Sequence, residues 1–290
     1  MSGLKEIRNR ISSVSSTMQI TNAMKMVSAS KLKKAQDSIS ATLPYSNKLS
    51  GLIQNISTSG DSGESLDSPF FIQRSIKKIL AVAITSNKGL CGGFNSNVIK
   101  EVSRLIETKY VSKNVEIICI GKKGRDILSK KNNVIDSFNS VYDEFSYENV
   151  KKIAELFMEK FSDESYDEII LVYNHSKNAA TQHLTIEPYL PIEEDAEESS
   201  AQASRDYIFE PSQSEILNEL IPKALVVQLF KAISDSIAGE HGARMTAMYK
   251  ATDNASELID QLKLTYNKAR QTAITNEILE IVGGAEALNS

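Results

Sequence analysis

The 290 residues carry a formal net charge of −4, with 41% hydrophobic residues, two cysteines and three histidines. No run approaches the roughly 18–20 apolar residues that a membrane-spanning helix needs. The few Cys and His residues have neither the number nor the spacing of a disulfide framework or a metal site. The composition predicts a soluble protein of a reducing compartment, with no catalytic residue set, metal or cofactor of its own.

Residues 1–58 are predicted to form one long helix. Glycine is absent from residues 4–50, and apolar residues recur at steps of three and four, which is the pattern of a coiled-coil seam. The residues of this seam are Leu4, Ile7, Ile11, Val14 and Met18. After them the pattern is expected to shift by two residues onto Ile20, Met24 and Val27, with a local change of supercoil.

Residues 59–74 are predicted to be a linker, and residues 75–211 a Rossmann-like α/β domain. Short continuous apolar runs, typical of buried parallel strands, occur at 78–84, 115–121 and 168–173. Helix-like stretches alternate with them at 96–109, 122–131 and 148–162. Alternating strands and helices predict a layered α/β fold.

Two glycine-rich segments follow predicted strands, at 85–95 and at 121–124. A glycine-rich turn between strand and helix can hold a phosphate on its backbone N–H groups. Neither segment has the spacing of a known nucleotide-binding motif. Cys91 has no histidine near it in the sequence, which favours a packed thiol. These turns leave open one alternative function, a nucleotide- or phosphate-binding α/β enzyme with helical dimerisation arms.

Residues 212–290 repeat the pattern of the N-terminal helix more completely. Their seam steps by three and four through Ala238, His241, Met245, Met248, Thr252, Ala255, Ile259, Leu262, Tyr266 and Ala269. Two long seams at opposite ends of one chain are most simply satisfied by each other. They predict an intramolecular antiparallel coiled coil.

The charge is spread unevenly. Residues 1–40 hold seven basic and two acidic residues, whereas residues 187–219 hold ten acidic and one basic. A basic segment favours an acidic partner or an acidic membrane, so a basic coiled-coil tether for membranes is a third, weaker hypothesis. Nucleic acid is not an expected partner, because no aromatic residues interleave the basic run to stack on bases.

Three segments of this sequence together resemble the gamma-subunit family of F-type ATP synthases. They are 19–31, 88–97 and 240–277, and each lies in the helix or turn context of that family. The region of about 110–205 resembles the family in layout. The resemblance covers nearly the whole chain and implies a long antiparallel coiled coil joined to an α/β domain.

The resemblance implies a non-catalytic rotor, the central stalk of the enzyme. One copy per complex would couple rotation of a membrane c-ring, driven by protons or sodium ions, to ATP synthesis or hydrolysis. The implied partners are the alpha, beta and epsilon subunits and the c-ring. The paired-cysteine insertion of chloroplast forms is missing, so thiol switching is not predicted. The resemblance is to the bacterial type, which implies a protein peripheral at the cytoplasmic face of the plasma membrane.

The resemblance also implies contact sites. The positions that contact the catalytic alpha and beta subunits are Met24, Arg244, Gln271, Thr275 and Glu277. The foot that meets the c-ring is formed by Tyr207, Phe209 and Glu210, with Phe209 standing where tyrosine is frequent. A final apolar stripe is expected to be exposed beyond its partner helix and to need a hydrophobic sleeve. Its residues are Ile274, Ile278, Ile281, Ala285 and Leu288.

Overall fold

The computed structural model describes residues 2–58, 68–178, 181–192, 210 and 212–289. The chain forms two compact units, residues 1–28 with 244–290 and residues 29–243. Two helices are much longer than the rest, α1 (Ser2–Thr58) and α5 (Gln213–Asn289). Within the described ranges, no helix combines the length and the apolar character that crossing a membrane requires.

In the first unit, α1 and α5 pack against each other as an antiparallel pair. Three contacts define their register: Arg8 Nη2 to Tyr266 Oη at 2.8 Å, Thr21 Oγ1 to Thr252 Oγ1 at 2.8 Å, and Lys25 Nζ 5.7 Å from the ring centroid of Tyr249. At each contact the two residue numbers add to 273 or 274. The residue number therefore rises along one helix while it falls along the other, as it must in an antiparallel pair. The predicted intramolecular coiled coil is confirmed in this unit.

The seam of α1 keeps its register, and the predicted shift by two residues is wrong. Ile20 and Val27 are 61% and 56% exposed. The inward positions after Met18 are instead Thr21 and Lys25, which are half-buried, and Ser28, which is buried. Hydrophobicity alone selects the wrong side chains here, because the inward positions are held by polar residues, two of which are small.

These polar seam residues are tolerated because their hydroxyls have partners. Thr21 Oγ1 donates to the Met18 carbonyl at 3.0 Å as well as pairing with Thr252, and Ser28 Oγ donates to the Met24 carbonyl at 2.8 Å. A buried hydroxyl without a partner would destabilise the pair. Satisfied in this way, small residues let the two helices approach closely.

The second unit contains a five-stranded sheet of order β3-β2-β1-β4-β5. Its strands are β1 (Lys78–Ile84), β2 (Asn114–Ile120), β3 (Val134–Ser137), β4 (Glu168–Ser176) and β5 (Gln182–Leu190). Its shorter helices are α2 (Phe94–Thr108), α3 (Lys122–Leu128) and α4 (Tyr147–Ser162). Strands β1 to β4 are parallel and β5 is antiparallel to β4. The predicted Rossmann-like layering is confirmed, and β3 and β5 are additional to the three predicted strands.

Successive residues of β1 lie on opposite faces of the sheet and pack into two different hydrophobic cores. Leu80, Val82 and Ile84 face one side, where the core includes Phe157 of α4 and Leu229 of α5. The intervening residues face the other side, where the core includes residues of α2; they are Ile79, Ala81 and Ala83. Each fully buried large side chain contributes about 1.5–3 kcal/mol. The helical layers on both faces explain why β1 is a continuous apolar run.

Candidate functional site

The last part of α5 is an exposed apolar tip. Ala269 is half-buried at the end of the seam, and every residue of 270–285 is exposed. Its large apolar side chains are 49–66% exposed; they are Ile274, Ile278, Leu279, Ile281 and Val282. The expected exposure of the stripe is confirmed as far as Ala285, while the Leu288 side chain lies outside the described residues. A contiguous apolar surface of this kind indicates a partner-binding site.

Three of the five candidate contact residues lie on this exposed tip. Gln271, Thr275 and Glu277 are all exposed and interleave with the apolar residues. Gln271 and Thr275 are four residues apart and therefore share one face of the helix. A partner that covers the apolar side chains would meet these polar groups at the same time.

The other two candidate contact residues are less accessible. Met24 is half-buried beside the seam of α1, and Arg244 is only 7% exposed. The structure therefore does not bring all five residues onto one open surface. The exposed large apolar residues in the part of α1 that belongs to the first unit include Ile20, Met26 and Val27. Sequence reasoning missed them as surface candidates, although their position outside the heptad register was the available signal.

The candidate foot falls mostly outside the described part of the chain. Tyr207, Phe209 and the acidic loop 193–204 are not among the described residues. Glu210 is described and is exposed.

The glycine turn at 121–124 is closed by protein groups. Three N–H groups at the start of α3 each have an acceptor: Lys122 donates to Asn87 Oδ1 (2.9 Å), Lys123 to the Ser86 carbonyl (3.1 Å), and Gly124 to Thr85 Oγ1 (2.9 Å). Gly121 has φ +113°, and a Cβ there would lie 2.0 Å from the Thr85 carbonyl oxygen. The glycines are needed for close packing of α3 on the end of β1. These amides are not free to bind a phosphate.

The glycine turn at 85–95 is likewise bonded to itself. Asn95 Oδ1 accepts from the Ser86 N–H at 2.9 Å, and Asn95 Nδ2 donates to Ser86 Oγ at 2.8 Å and to Cys91 Sγ at 3.2 Å. Cys91 is buried, so the expected packed thiol is confirmed. Across the ranges that the structure describes, no cluster of three or more His, Cys, Asp or Glu could hold a metal ion.

Known proteins match this chain over its whole length. A family model described as ATP synthase covers residues 3–288. The ATP synthase gamma chain of Flavobacterium psychrophilum is 61% identical over 99% of both chains, and that of Flavobacterium johnsoniae is 61% identical over the full length of both. The gamma chain of Christiangramia forsetii is 58% identical, again over the full length of both.

Solved structures share the fold at lower sequence identity. The rotor of the Euglena gracilis mitochondrial ATP synthase matches at 22% identity and a TM-score of 0.67, covering 94% of this chain and 99% of that one. A second Euglena structure, of the OSCP, F1 and c-ring assembly, contains a chain that matches with a TM-score of 0.68 at 22% identity, covering 99% and 95%. The combination of long terminal helices with an α/β sheet is therefore that of an ATP synthase stalk.

Proposed function

Because the chain belongs to the gamma-chain family of ATP synthase, we propose that it acts as the central-stalk rotor of that enzyme. Gamma chains are non-catalytic subunits of the membrane-associated F1 complex. In this role, rotation of a c-ring turns the subunit, and its asymmetric helices change the affinities of the catalytic sites in sequence. The subunit acts by contacting the conformations of its partners differently, which biases an equilibrium that it does not itself catalyse.

The observation that carries this proposal is the exposed tip of α5 in a whole-chain match to gamma chains. Five large apolar side chains there are at least 49% exposed. Inside a sleeve formed by alpha and beta subunits these side chains would be covered. Gln271, Thr275 and Glu277 would then bind the catalytic head directly.

The remaining contacts follow from this placement. Met24 would meet the beta subunit only at its exposed edge. Arg244 is buried, so it would contact the head through a rearranged side chain or stabilise the helix that presents its neighbours. Tyr207, Phe209 and Glu210 would form the foot on the c-ring, next to the epsilon subunit.

We also propose a functional division of the chain and a cellular location. The helices 1–58 and 212–290 would serve the catalytic head, and the α/β domain 75–211 would serve the ring side, joined through the linker 59–74. One copy per complex would lie at the cytoplasmic face of the bacterial plasma membrane. It would be held there by its partners.

The alternative enzyme function is not favoured. It depends on the glycine turns, and the N–H groups of Lys122, Lys123 and Gly124 are already hydrogen-bonded within the protein. Opening this turn for a phosphate would break three hydrogen bonds, each contributing about 0.5–1.5 kcal/mol.

A rotation assay tests the proposal. Val111 is 72% exposed, whereas both native cysteines are buried, and burial raises the pKa of Cys119 to about 12. A Val111→Cys variant therefore accepts a bead selectively by maleimide chemistry. Assembled with alpha, beta and epsilon subunits, the labelled chain should rotate when ATP is added. The wild-type chain, treated with the same maleimide reagent, is the control for labelling and should carry no bead.

Two results would contradict the proposal. One is ATP turnover by the isolated chain. The other is a fully active, assembled complex in which the bead stays still.

A further inference from the structure

A set of polar contacts joins α5 to strands β4 and β5 within the second unit. Tyr189 Oη donates to the Leu225 carbonyl (3.0 Å), Gln228 Nε2 donates to Glu187 Oε1 (2.7 Å), Tyr173 Oη donates to Glu187 Oε2 (2.6 Å), and His175 Nδ1 lies 2.8 Å from Asp235 Oδ2. We call the side chains of these six residues the polar clasp: Tyr173, His175, Glu187, Tyr189, Gln228 and Asp235. Tyr173 and Tyr189 belong to the same core as Leu229 and Ile233 of α5, and Asp235 is also buried. Glu187 and Gln228 are half-buried, and His175 is exposed.

The free energy of unfolding does not explain why these polar residues are present. The Asp235 side chain is only 4% exposed, and its burial raises the pKa of the carboxyl, which the hydrogen bond from His175 offsets only in part. A buried charged group costs desolvation energy, and well-packed apolar residues in its place are often as stable or more so. Buried polar groups of this kind can instead specify one register between packed elements.

The sequence of α5 is consistent with such a role, because a slip of one helical turn cannot rebuild the clasp. In one direction Ala224 replaces Gln228 and Lys231 replaces Asp235, so Glu187 Oε1 loses the Gln228 donor and His175 faces a cation. In the other direction Ala232 replaces Gln228 and Gly239 replaces Asp235. Neither Ala232 nor Gly239 has a polar side chain, so neither can form the hydrogen bond of the residue that it replaces.

Gly239 reinforces the same register by shape. A Cβ at this position would lie 3.3 Å from Gln182 Cγ and 3.4 Å from both the Asn174 carbonyl oxygen and Phe94 Cε2. A slip of one turn would bring Asp235 or Ala243 to this place. The alanine would make tight contacts with these atoms, and the larger aspartate would need more room than the site offers. Apolar packing alone is non-directional and would resist such a slip less.

We propose that the polar clasp locks α5 to the sheet in a single register, so that torque applied to the α/β unit passes into α5 without slip. The inference rests on the proposed rotor function. The six residues of the polar clasp act as positioning residues, because they hold the helix that meets the partners. They are Tyr173, His175, Glu187, Tyr189, Gln228 and Asp235. A two-point attachment at Gln228 and Asp235 spans about 10 Å of helix at 1.5 Å per residue.

The test combines stability of the free chain with torque in the assembled enzyme. The Gln228→Leu/Asp235→Leu double variant places apolar side chains at both helix positions and removes the hydrogen bonds that Gln228 and Asp235 make, whereas the two tyrosine hydrogen bonds remain. We expect its thermal midpoint to stay the same or rise, while the torque measured from a bead on Val111→Cys falls at least twofold. ATP-driven ion pumping per ATP hydrolysed, measured with the complete membrane enzyme, should fall in parallel. Asp235→Asn keeps an acceptor for His175 and should restore most of the torque.

The matched control is Glu219→Leu/Lys223→Leu, an exposed ion pair on the same helix, which should leave torque unchanged. Wild-type torque in the clasp double variant would overturn the clasp and leave the rotor function standing. A fall in thermal midpoint that accounts for the loss of torque would also overturn it. A Val111→Cys chain with an intact clasp whose bead fails to rotate in an active complex would instead refute the rotor function itself.

Discussion

The two ends of α5 use apolar residues for opposite purposes. Leu217, Leu225 and Leu229 are buried in the α/β core, whereas Ile278 and Ile281 are 54% and 66% exposed. Both stretches have the helical periodicity of an amphipathic segment, yet only the first stabilises the fold of the free chain. The second is exposed in the free chain, and we propose that a partner covers it. Hydrophobic periodicity alone does not distinguish an internal core from an exposed apolar surface.

The most destructive change expected in the packed region is Gly121→Ala. Its Cβ would collide with the Thr85 carbonyl, and φ +113° is a strained conformation for alanine. We expect a loss of about 3–5 kcal/mol of unfolding free energy, measured by urea denaturation. Gly283→Ala at the tip, where nothing lies within 4 Å, is the control and should gain up to about 1 kcal/mol. Equal losses at both sites would remove the contrast between the regions.

A direct comparison of the regions pairs Leu171→Ala with Ile278→Ala. Leu171 is fully buried in β4, so truncation should cost about 2–5 kcal/mol. Ile278→Ala should change the stability of the free chain by less than about 0.5 kcal/mol. It should nevertheless lower ATP synthesis by the assembled enzyme. Normal synthesis after this change would argue that the tip is an ordinary solvated helix end.

The seam of the helix pair should show an intermediate effect. The hydroxyls of Thr21 and Thr252 lie 2.8 Å apart, and a double-mutant cycle with alanine at each site isolates their coupling. We expect about 0.5–1.5 kcal/mol, as for a typical protein hydrogen bond. The measurement is thermal unfolding of the full chain. A coupling energy of zero would mean that the seam is held by packing alone.

Asp235 should make the stability of the packed region depend on pH. Because burial raises its pKa in the folded state, that state binds the proton more tightly than the unfolded chain does. Stability is then highest below the ordinary pKa of aspartate and falls as pH rises through the raised value. Relative to Asp235→Asn, the wild type should lose stability over this interval in urea titrations. A wild type that instead gains stability against Asp235→Asn would contradict the assignment.

The smallest expected effect on stability comes from charge reversal at the tip. Glu277 is exposed, so Glu277→Lys should leave the unfolding free energy within about 0.5 kcal/mol. ATP synthesis by the assembled enzyme should fall several-fold because a contact with the catalytic head changes sign. Glu280→Lys, another exposed acid one turn further on, is the matched control. An equal effect of both changes would indicate general charge rather than a specific contact.

Much of the fold could be predicted because the local spacing of apolar residues indicates its helices and strands. The heptads of 4–18 and 238–269, and the apolar runs of β1, β2 and β4, follow from short-range patterns. The misplaced seam at Ile20 and Val27 shows the limit of that reasoning, because these apolar residues are exposed while polar residues take the inward positions. Strand β3 is too short to give a signal.

Strand β5 was missed for a different reason. It is an edge strand whose Leu184 and Ile186 are 36% and 40% exposed, so it has no continuous apolar run. The sites divide in the same way. The tip could be placed from its stripe, but the burial of Arg244 and the approach of His175 to Asp235 depend on contacts between distant segments.

The constant register of the helix pair links the lengths of the two chain ends. Contacts whose residue numbers add to 273 or 274 recur from Arg8 to Lys25. One residue inserted between them would turn the following part of α1 by about 100° and advance it by 1.5 Å, which moves its seam off its partner. Insertions or deletions in this part of the chain should therefore be tolerated mainly when they add or remove a multiple of seven residues. A change in one end should be matched by a change of equal length in the other.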